Sequence, residues 1–296
     1  LIMPVMNGVE ATGKIMRATP CPILIVTAAS GGDEAMVFES MGSGALDAFC
    51  MPTYGSDGIL HGQEKLLAKI ATIGKLIKKP VRFADASSRG PSKTAHPDVP
   101  PMIAIGASPG GPKALAEILG RLPADFKGSI AIVQHVDTQF VNGFAEWLGS
   151  QTKLTVHVAR TGDRPLPGTV AVAGSDRHMV LNRDLEFDYT DEPRDYPYKP
   201  SVDTFFESVS AFWPSPDLAI LMTGMGKDGA RGLGKLHAAG WHTIAQDEAT
   251  SVVYGMPKAA VELKVADEIL PLEKIAEAMI RFVQSGRAAV ARERKT

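Results

Sequence analysis

Three polar residues in this sequence could together form a nucleophilic catalytic site, because each follows an apolar run typical of a buried strand. Ser108 lies in segment 106–110, which reads G-A-S-P-G and matches G-x-S-x-G. His135 and Asp228 each follow another such run. A serine becomes a nucleophile when a histidine takes its proton and a carboxylate orients that histidine. We expect Nε2 of His135 to face Ser108 and Nδ1 to face Asp228.

The surrounding elements are predicted to bring these residues to one edge of a sheet. Apolar runs alternate with helical patterns, which favours a doubly wound, mostly parallel α/β fold. The carboxyl ends of parallel strands meet at the edge where such sheets bind ligands. We also expect an antiparallel hairpin within residues 154–189 and a closing helix at 272–284. The core strands are predicted at residues 102–106, 129–133, 217–222 and 241–245.

Each of the three residues also has an ordinary structural interpretation. Ser108 and Asp228 both precede helical patterns, so either could be a helix N-cap. A lone histidine at a strand end, such as His135, is most often structural. The catalytic interpretation gains weight because all three residues follow strands of the same predicted sheet.

Residues 224–229 support a competing hypothesis, a nicotinamide-dependent oxidoreductase. They read G-M-G-K-D-G, so that Gly224 and Gly229 match the first and last positions of the dinucleotide-binding G-x-G-x-x-G. Asp247 follows Gly229 by 18 residues, near the spacing of the acid that binds the ribose. This hypothesis leaves the serine and the histidine without a role, and it places Asp228 beside a pyrophosphate.

An ordinary α/β-hydrolase is a third hypothesis, in which the triad follows the order serine, acid, histidine. It would combine Ser108 with Asp203 or Asp217 and then with His237 or His242. The strand-end residues instead follow the order serine, histidine, acid. That order argues against an ordinary α/β-hydrolase.

The chain is predicted to contain two unequal folded regions. Residues 1–79 show a βαβα order typical of a small parallel sheet, with a strand at 22–27 and a helix at 62–79. Residues 80–101 contain five prolines and almost no apolar periodicity, which predicts a linker. Residues 102–290 form the larger region, which carries the candidate catalytic residues.

The composition is typical of a globular protein with an apolar core. The 296 residues are 45% hydrophobic and 22% charged, with a formal net charge of −2, so no nucleic-acid partner is expected. No apolar run approaches the roughly 18 residues of a membrane span, and no signal peptide is visible. Two cysteines fit a reduced cytoplasm. We expect no cofactor. We also expect no metal, because the histidines are scattered and no spacing of His, Cys or carboxylate residues suggests a metal site.

Seven short motifs follow one another along the larger region. They are Ile103-Ala-Ile-Gly-Ala-Ser-Pro-Gly-Gly, Val133-Gln-His, Asp176-Arg-His-Met, Lys199-Pro-Ser-Val-Asp, Leu221-Met-Thr-Gly-Met-Gly-Lys-Asp-Gly, Ala245-Gln-Asp-Glu-Ala and Tyr254-Gly-Met-Pro. Over about residues 102–285 the chain resembles the chemotaxis protein-glutamate methylesterases of the CheB family. The resemblance implies hydrolysis of glutamate methyl esters, and deamidation of glutamines, on the cytoplasmic helices of chemoreceptors. It implies Ser108 as nucleophile, His135 as base and Asp228 as orienting acid.

Residues 1–8 read L-I-M-P-V-M-N-G, which matches the segment after the phosphoacceptor aspartate of response-regulator receivers. Residues 1–79 thus resemble the second half of a flavodoxin-like receiver, and the aspartate is expected immediately before Leu1. Thr27 matches the hydroxyl residue that acts as the switch of the receiver family. The resemblance implies a sensor histidine kinase as partner of the full-length receiver. Met51 replaces the lysine usual in receivers, which implies a weak response to phosphate.

Two departures from the family pattern lie next to the candidate catalytic residues. Pro109 follows the serine where the family commonly has threonine, and proline has no N–H to donate. Oxyanion stabilisation is therefore expected from the amides of Gly110, Gly111 or Met225. Because this donor is lost, a catalytically weak module that docks on receptors is an alternative hypothesis. The residues after His135 resemble those of the WspF branch, methylesterases of surface-sensing pathways.

Overall fold

The computed structural model describes residues 1–28, 34–54, 60–76, 99–196 and 198–293. The predicted linker at 80–101 lies almost entirely outside the described residues. The linker and the boundaries of the two folded regions therefore stay predictions.

The helices among the described residues vary in length from 7 to 22 residues. In chain order they are α1 (Gly8–Ala18), α2 (Glu34–Gly42), α3 (Gln63–Leu76), α4 (Gly111–Gly120), α5 (Val141–Ser150), α6 (Val202–Phe212), α7 (Ala230–Ala238), α8 (Met256–Glu262) and α9 (Leu272–Glu293). A short 3₁₀ turn, Thr138–Phe140, precedes α5.

The strands are short, as is usual for sheets covered by helices. In chain order they are β1 (Leu24–Thr27), β2 (Asp47–Cys50), β3 (Thr53–Tyr54), β4 (Leu60–His61), β5 (Met102–Ala107), β6 (Ser129–Gln134), β7 (Thr155–Val158), β8 (Thr169–Val172), β9 (His178–Leu181), β10 (Phe187–Thr190), β11 (Leu218–Leu221), β12 (His242–Gln246) and β13 (Glu268–Leu270).

The main sheet has seven strands in the order β13-β12-β11-β5-β6-β8-β7, and every neighbouring pair is parallel. The chain order reverses at β5, which pairs with β6 on one side and with β11 on the other. Ile105 of β5 is level with Ile132 of β6 and with Ile220 of β11. The carboxyl ends of these three strands therefore meet at a topological switch point. The predicted α/β class with a mostly parallel sheet is confirmed.

Helices cover both faces of this sheet, which explains why β5 is apolar along its whole length. Ile103 and Ile105 lie in a core shared with α4, α5 and α9. Met102 and Ala104 lie in the opposite core, shared with α6 and α7. This alternation is the period-2 pattern of a strand buried on both faces.

The N-terminal region, which comprises α1 to α3 and β1 to β4, packs on α5 through aromatic side chains. The ring centroid of Phe38 in α2 lies 5.2 Å from that of Phe144 and 5.9 Å from that of Trp147. Phe38 is fully buried, within the same apolar core that lies on the α4 side of the sheet. The N–H of Gly143 donates to Oε2 of Glu34 at 3.1 Å. The N-terminal region and the main sheet therefore share one core.

Most predicted elements occur with ends shifted by a few residues. The expected hairpin is formed by β9 and β10, which pair antiparallel. The helix predicted at 62–79 begins at Gln63 and is described to Leu76, and its last predicted residues lie outside the described part. The closing helix continues past 284 to Glu293. β1 and β2 form the predicted parallel pair of the N-terminal region.

Candidate active site

The three strand-end residues lie together at the carboxyl edge of the sheet. Ser108 follows β5, and His135 and Asp228 follow the strands on its two sides, β6 and β11. The Ser108 N–H donates to the carbonyl of Thr223 at 3.0 Å, and the His135 N–H donates to that of Ala107 at 3.1 Å. These backbone bonds join the strand ends and fix the spacing of the side chains.

Ser108, His135 and Asp228 form a continuous hydrogen-bonded row. Oγ of Ser108 lies 3.0 Å from Nδ1 of His135, and Nε2 of His135 lies 2.8 Å from Oδ2 of Asp228. Ser108 and Asp228 are buried, with 5% and 2% of their surface exposed. In such a row the serine proton can pass to an oriented imidazole.

The two ring nitrogens of His135 are exchanged relative to the expectation from the sequence. Nδ1, and not Nε2, faces Ser108, so that part of the prediction is wrong. The reason is the strand order: β5 lies between β6 and β11, so the ring passes over Ser108 on its way to Asp228. Nε2 lies farther from the main chain than Nδ1, so Nε2 is the ring nitrogen that reaches Asp228 on the far strand. When Nδ1 accepts from the serine, the neutral ring carries its proton on Nε2.

Neither Ser108 nor Asp228 is a helix N-cap. The N-cap residues of α4 and α7 are Gly110 and Gly229, and neither position has a side-chain hydrogen bond. Gly110 has φ 80°, and a Cβ there would lie 2.7 Å from Cβ of Val252, so this turn requires glycine. The N-cap interpretation of the serine and the aspartate is wrong.

Asp228 is held by the N-terminus of α6. Its carboxylate accepts hydrogen bonds from Oγ of Ser201 at 2.9 Å, from the N–H of Val202 at 2.8 Å and from the N–H of Asp203 at 3.0 Å. Burial alone would raise the pKa of Asp228, but the hydrogen bonds from His135 and the two amides hold that pKa below its ordinary value. Asp228 is therefore an ionised acceptor that orients the imidazole.

A second buried carboxylate, Asp203, lies beside Asp228. The Tyr196 hydroxyl donates at 2.7 Å to Oδ2 of Asp203 and lies 3.2 Å from Oδ1 of Asp228. The N–H of Gly232 donates to Oδ1 of Asp203 at 2.7 Å. Burial, together with the charge of Asp228, raises the pKa of Asp203 despite these hydrogen bonds and the nearby Arg231. Asp203 thus anchors Tyr196 next to Asp228.

His178 is fully buried and supports the same region from behind. Its Nδ1 accepts from the N–H of Ser201 at 3.0 Å, and its Nε2 lies 3.2 Å from the carbonyl of Pro193. Burial lowers the pKa of His178 even though the Pro193 carbonyl opposes that effect. The neutral ring therefore ties together the two ends of the segment before α6 and holds Ser201 against Asp228.

A cleft of about 560 Å³ opens beside His135. Its lining combines charged and aromatic side chains, among them Tyr198 and Lys199. Phe49 and Lys69 from the N-terminal region line the same cleft. His135 is therefore reached through a space that both regions of the chain help to form.

The amides of Gly110 and Gly111, expected as oxyanion donors, are both engaged in other hydrogen bonds. The Gly110 N–H donates to the carbonyl of Leu46 at 3.1 Å, and the Gly111 N–H donates to that of Ser108 at 2.8 Å. The expectation that these two amides are available is wrong. The half-buried Met225 has an N–H without an acceptor among the described residues. Met225 is therefore the candidate donor.

The residues of the rival hypotheses have other surroundings. Asp217 and His242 lie at the amino ends of β11 and β12, at the sheet edge opposite Ser108. Asp247 accepts from the N–H of Thr250 at 2.9 Å and closes a turn.

Across the described ranges, no group of three or more His, Cys, Asp or Glu side chains could hold a metal ion. Those ranges also contain no helix with the length and apolar character needed to cross a membrane.

Comparison with known proteins places this site in a family. Residues 103–279 match the family model described as CheB methylesterase. A protein-glutamate methylesterase/protein-glutamine glutaminase of Burkholderia orbicola is 53% identical over 279 residues, which cover 93% of this chain and 81% of that protein. One from Mesorhizobium japonicum is 50% identical over 282 residues, which cover 95% of this chain and 82% of that protein. The crystal structure of the Thermotoga maritima CheB methylesterase catalytic domain matches with a TM-score of 0.58 and 36% identity, covering 62% of this chain and 98% of that domain.

The fold and the site define an α/β protein with a serine, histidine and aspartate row at the switch point of a parallel sheet. The chain belongs to the CheB methylesterase family. The predicted family and the predicted enzyme class, a protein-glutamate methylesterase, are confirmed, and the oxidoreductase alternative finds no support.

Several side chains that contact the site residues have no catalytic signature in the sequence, namely Gln134, Tyr198 and Ser201. Nε2 of Gln134 donates to the carbonyls of Ser108 and His135, at 3.0 Å each. Ser201 belongs to the Lys-Pro-Ser-Val-Asp motif, and Gln134 directly precedes the histidine in the Val-Gln-His motif. Those motifs were the available signal, but neither indicates a contact by itself.

Proposed function

We propose that this chain hydrolyses γ-methyl esters of glutamate side chains, with Ser108 as nucleophile, His135 as general base and Asp228 as orienting acid. The observation that carries the proposal is the hydrogen-bonded row, with 3.0 Å from serine to imidazole and 2.8 Å from imidazole to carboxylate. The names of the relatives support this reaction and add hydrolysis of glutamine side-chain amides.

The reaction is acyl transfer in two steps. Oγ of Ser108 attacks the γ-carbonyl carbon while Nδ1 of His135 takes the hydroxyl proton. The N–H of Met225 donates to the oxyanion of the tetrahedral intermediate. The imidazolium then gives its proton to the leaving methoxy group, and methanol departs as the acyl-serine forms. Water, deprotonated by His135, releases the glutamate and restores the serine.

The proposed substrate is the cytoplasmic helical region of a methylated chemoreceptor, as the family resemblance implies. The cleft beside His135 gives a side chain of such a helix access to the base. An enzyme with this substrate works in the cytoplasm. The N-terminal region, which carries Thr27, is proposed to take its signal from a sensor histidine kinase.

Methanol release from methyl-labelled receptor tests this proposal. The wild-type chain should release labelled methanol, and Ser108→Ala should release none while keeping its fold. Ser150→Ala, which changes an exposed serine at the end of α5, is the matched control and should retain full activity. Methanol release by Ser108→Ala would contradict the assignment of the nucleophile. Receptor binding by the wild type without any turnover would support a docking role instead.

A further inference from the structure

Tyr198 lies flat against the imidazole of His135. The ring centroids are 4.8 Å apart, and the ring planes differ by 5°. Tyr198 is half-buried and lines the cleft through which the base is reached. Aromatic rings at this separation attract each other and have a preferred relative orientation. One face of the general base is therefore covered by a side chain that the mechanism does not use.

The hydroxyl end of Tyr198 lies over the loop after β11. A Cβ on Gly226 would come within 2.9 Å of the Tyr198 hydroxyl oxygen, and Gly226 has φ 85°. This glycine directly follows Met225, the proposed oxyanion donor. The tyrosine thus fills the space between the base and the loop that carries the oxyanion donor.

The two hydrogen bonds of His135 leave one motion of its ring unopposed. The two bonds lie at opposite edges of the ring, one to Ser108 at 3.0 Å and the other to Asp228 at 2.8 Å. Neither bond strongly resists tilting of the ring about the line that joins these two partners. A parallel ring stacked on the imidazole face does resist that tilt, because tilting drives the edge of one ring into the other.

We infer that Tyr198 is a positioning residue, whose ring holds the imidazole of His135 in the plane where Nδ1 is aligned with Ser108 and Nε2 with Asp228. The inference rests on the proposed function of this site. The stacked ring is the part of the tyrosine that is needed, and the hydroxyl is not. Burial and the charge of Asp228 raise the pKa of Tyr198, so its hydroxyl stays neutral while it lies over the loop.

Labelling with a small alkyl fluorophosphonate measures the activation of Ser108 without any receptor. Oγ of Ser108 bonds to phosphorus, fluoride leaves, and the hydroxyl proton passes to His135. Tyr198→Phe keeps the ring, and Tyr198→Leu keeps bulk without the ring. We expect the Phe variant to label within about threefold of the wild-type rate and the Leu variant to label about 10- to 100-fold more slowly, because small misalignments of reacting groups are costly. With methylated receptor, kcat should fall in the Leu variant while KM changes little.

Labelling of Tyr198→Leu at the wild-type rate would overturn the inference. Equal slowing of the Phe and Leu variants would also overturn it, since the hydroxyl and not the ring would then be the essential part. Thermal unfolding checks that each variant folds. If Tyr198→Leu does not fold, Tyr198→Met takes its place and is judged by the same criteria. Failure of the proposed function has a different signature, which is methanol release by Ser108→Ala.

Discussion

Oγ of Ser108 lies 3.0 Å from Nδ1 of His135, the ring nitrogen nearest the main chain. This contact follows from the strand order, because the strand that carries the nucleophile lies between the strands that carry the base and the acid. The outer nitrogen is consequently the one that reaches Asp228. The strand order therefore accounts for which ring nitrogen faces Ser108 and which faces Asp228.

The tautomer of His135 provides the first prediction. When the imidazole is neutral, its proton should be on Nε2, because Asp228 accepts from that nitrogen and Nδ1 accepts from Ser108. Two-bond ¹H–¹⁵N spectra of histidine-labelled protein report which nitrogen is protonated, and His135→Gln assigns the signal. A neutral ring with its proton on Nδ1 would be inconsistent with this geometry.

Replacing Asp228 by asparagine should nearly abolish turnover. The amide carries no charge to stabilise the imidazolium, and we expect a loss of about 10⁴-fold in kcat, as for the equivalent change in serine proteases. Methanol release measures the effect. Asp184→Asn, at an exposed position in the β9–β10 turn, should retain wild-type activity. A loss smaller than tenfold in Asp228→Asn would argue against its orienting role.

Ser201 should contribute to both stability and turnover. Its Oγ accepts from the N–H of Thr204 at 3.2 Å as the N-cap of α6, and it donates to Asp228 at 2.9 Å. Ser201→Ala should lower the free energy of unfolding by about 1–2 kcal/mol through the lost cap. It should lower kcat by about tenfold, since a hydrogen bond to a charged group is worth about 1.5 kcal/mol.

A matched control separates these two effects of Ser201. Asn7→Ala removes the N-cap of α1, whose side chain accepts from the N–H of Glu10 at 2.8 Å. Urea unfolding should show a loss of stability for both variants, and the methanol assay should show a loss of kcat for Ser201→Ala alone. An unchanged kcat in Ser201→Ala would reduce its role to helix capping.

Cys50 provides a prediction about pH. Burial, followed by the charge of Asp137, raises the pKa of this thiol to about 11, whereas the pKa of an unfolded cysteine is about 8.5. The native state therefore favours the protonated thiol, and the resulting stability is present below about pH 8.5 and is lost as the pH rises toward 11. The stability advantage of the wild type over Cys50→Ala should shrink between these pH values. Val37→Ala, a buried change without a titrating group, should show a difference in the free energy of unfolding that is independent of pH.

The sequence was sufficient to predict that three side chains meet at one sheet edge, but not the details of their contacts. Ser108, His135 and Asp228 were predictable because strand-length apolar runs and βα order leave them at one edge of a parallel sheet. The ring nitrogens were not predictable, because the position of β11 on the far side of β5 is a long-range property. The hydrogen bond from the Gly110 N–H to the Leu46 carbonyl is likewise a tertiary contact, for which the local sequence gives no signal.

The side chains that surround His135 and Asp228 were harder to predict for a different physical reason. Tyr196, Tyr198 and Ser201 lie in the irregular segment between β10 and α6, which has neither the period of a strand nor that of a helix. Their contacts with the base and the acid depend on the path of that segment across the sheet edge. Composition and spacing carry no information about such a path.

The most direct measurement is peptide mapping after reaction with a fluorophosphonate, which identifies the activated nucleophile by mass. The adduct should appear on Ser108 in the wild type and in Ser150→Ala, it should form far more slowly in His135→Gln, and it should be absent from Ser108→Ala. An adduct on another residue, or an adduct on Ser108 that forms equally fast without His135, would contradict the proposed mechanism.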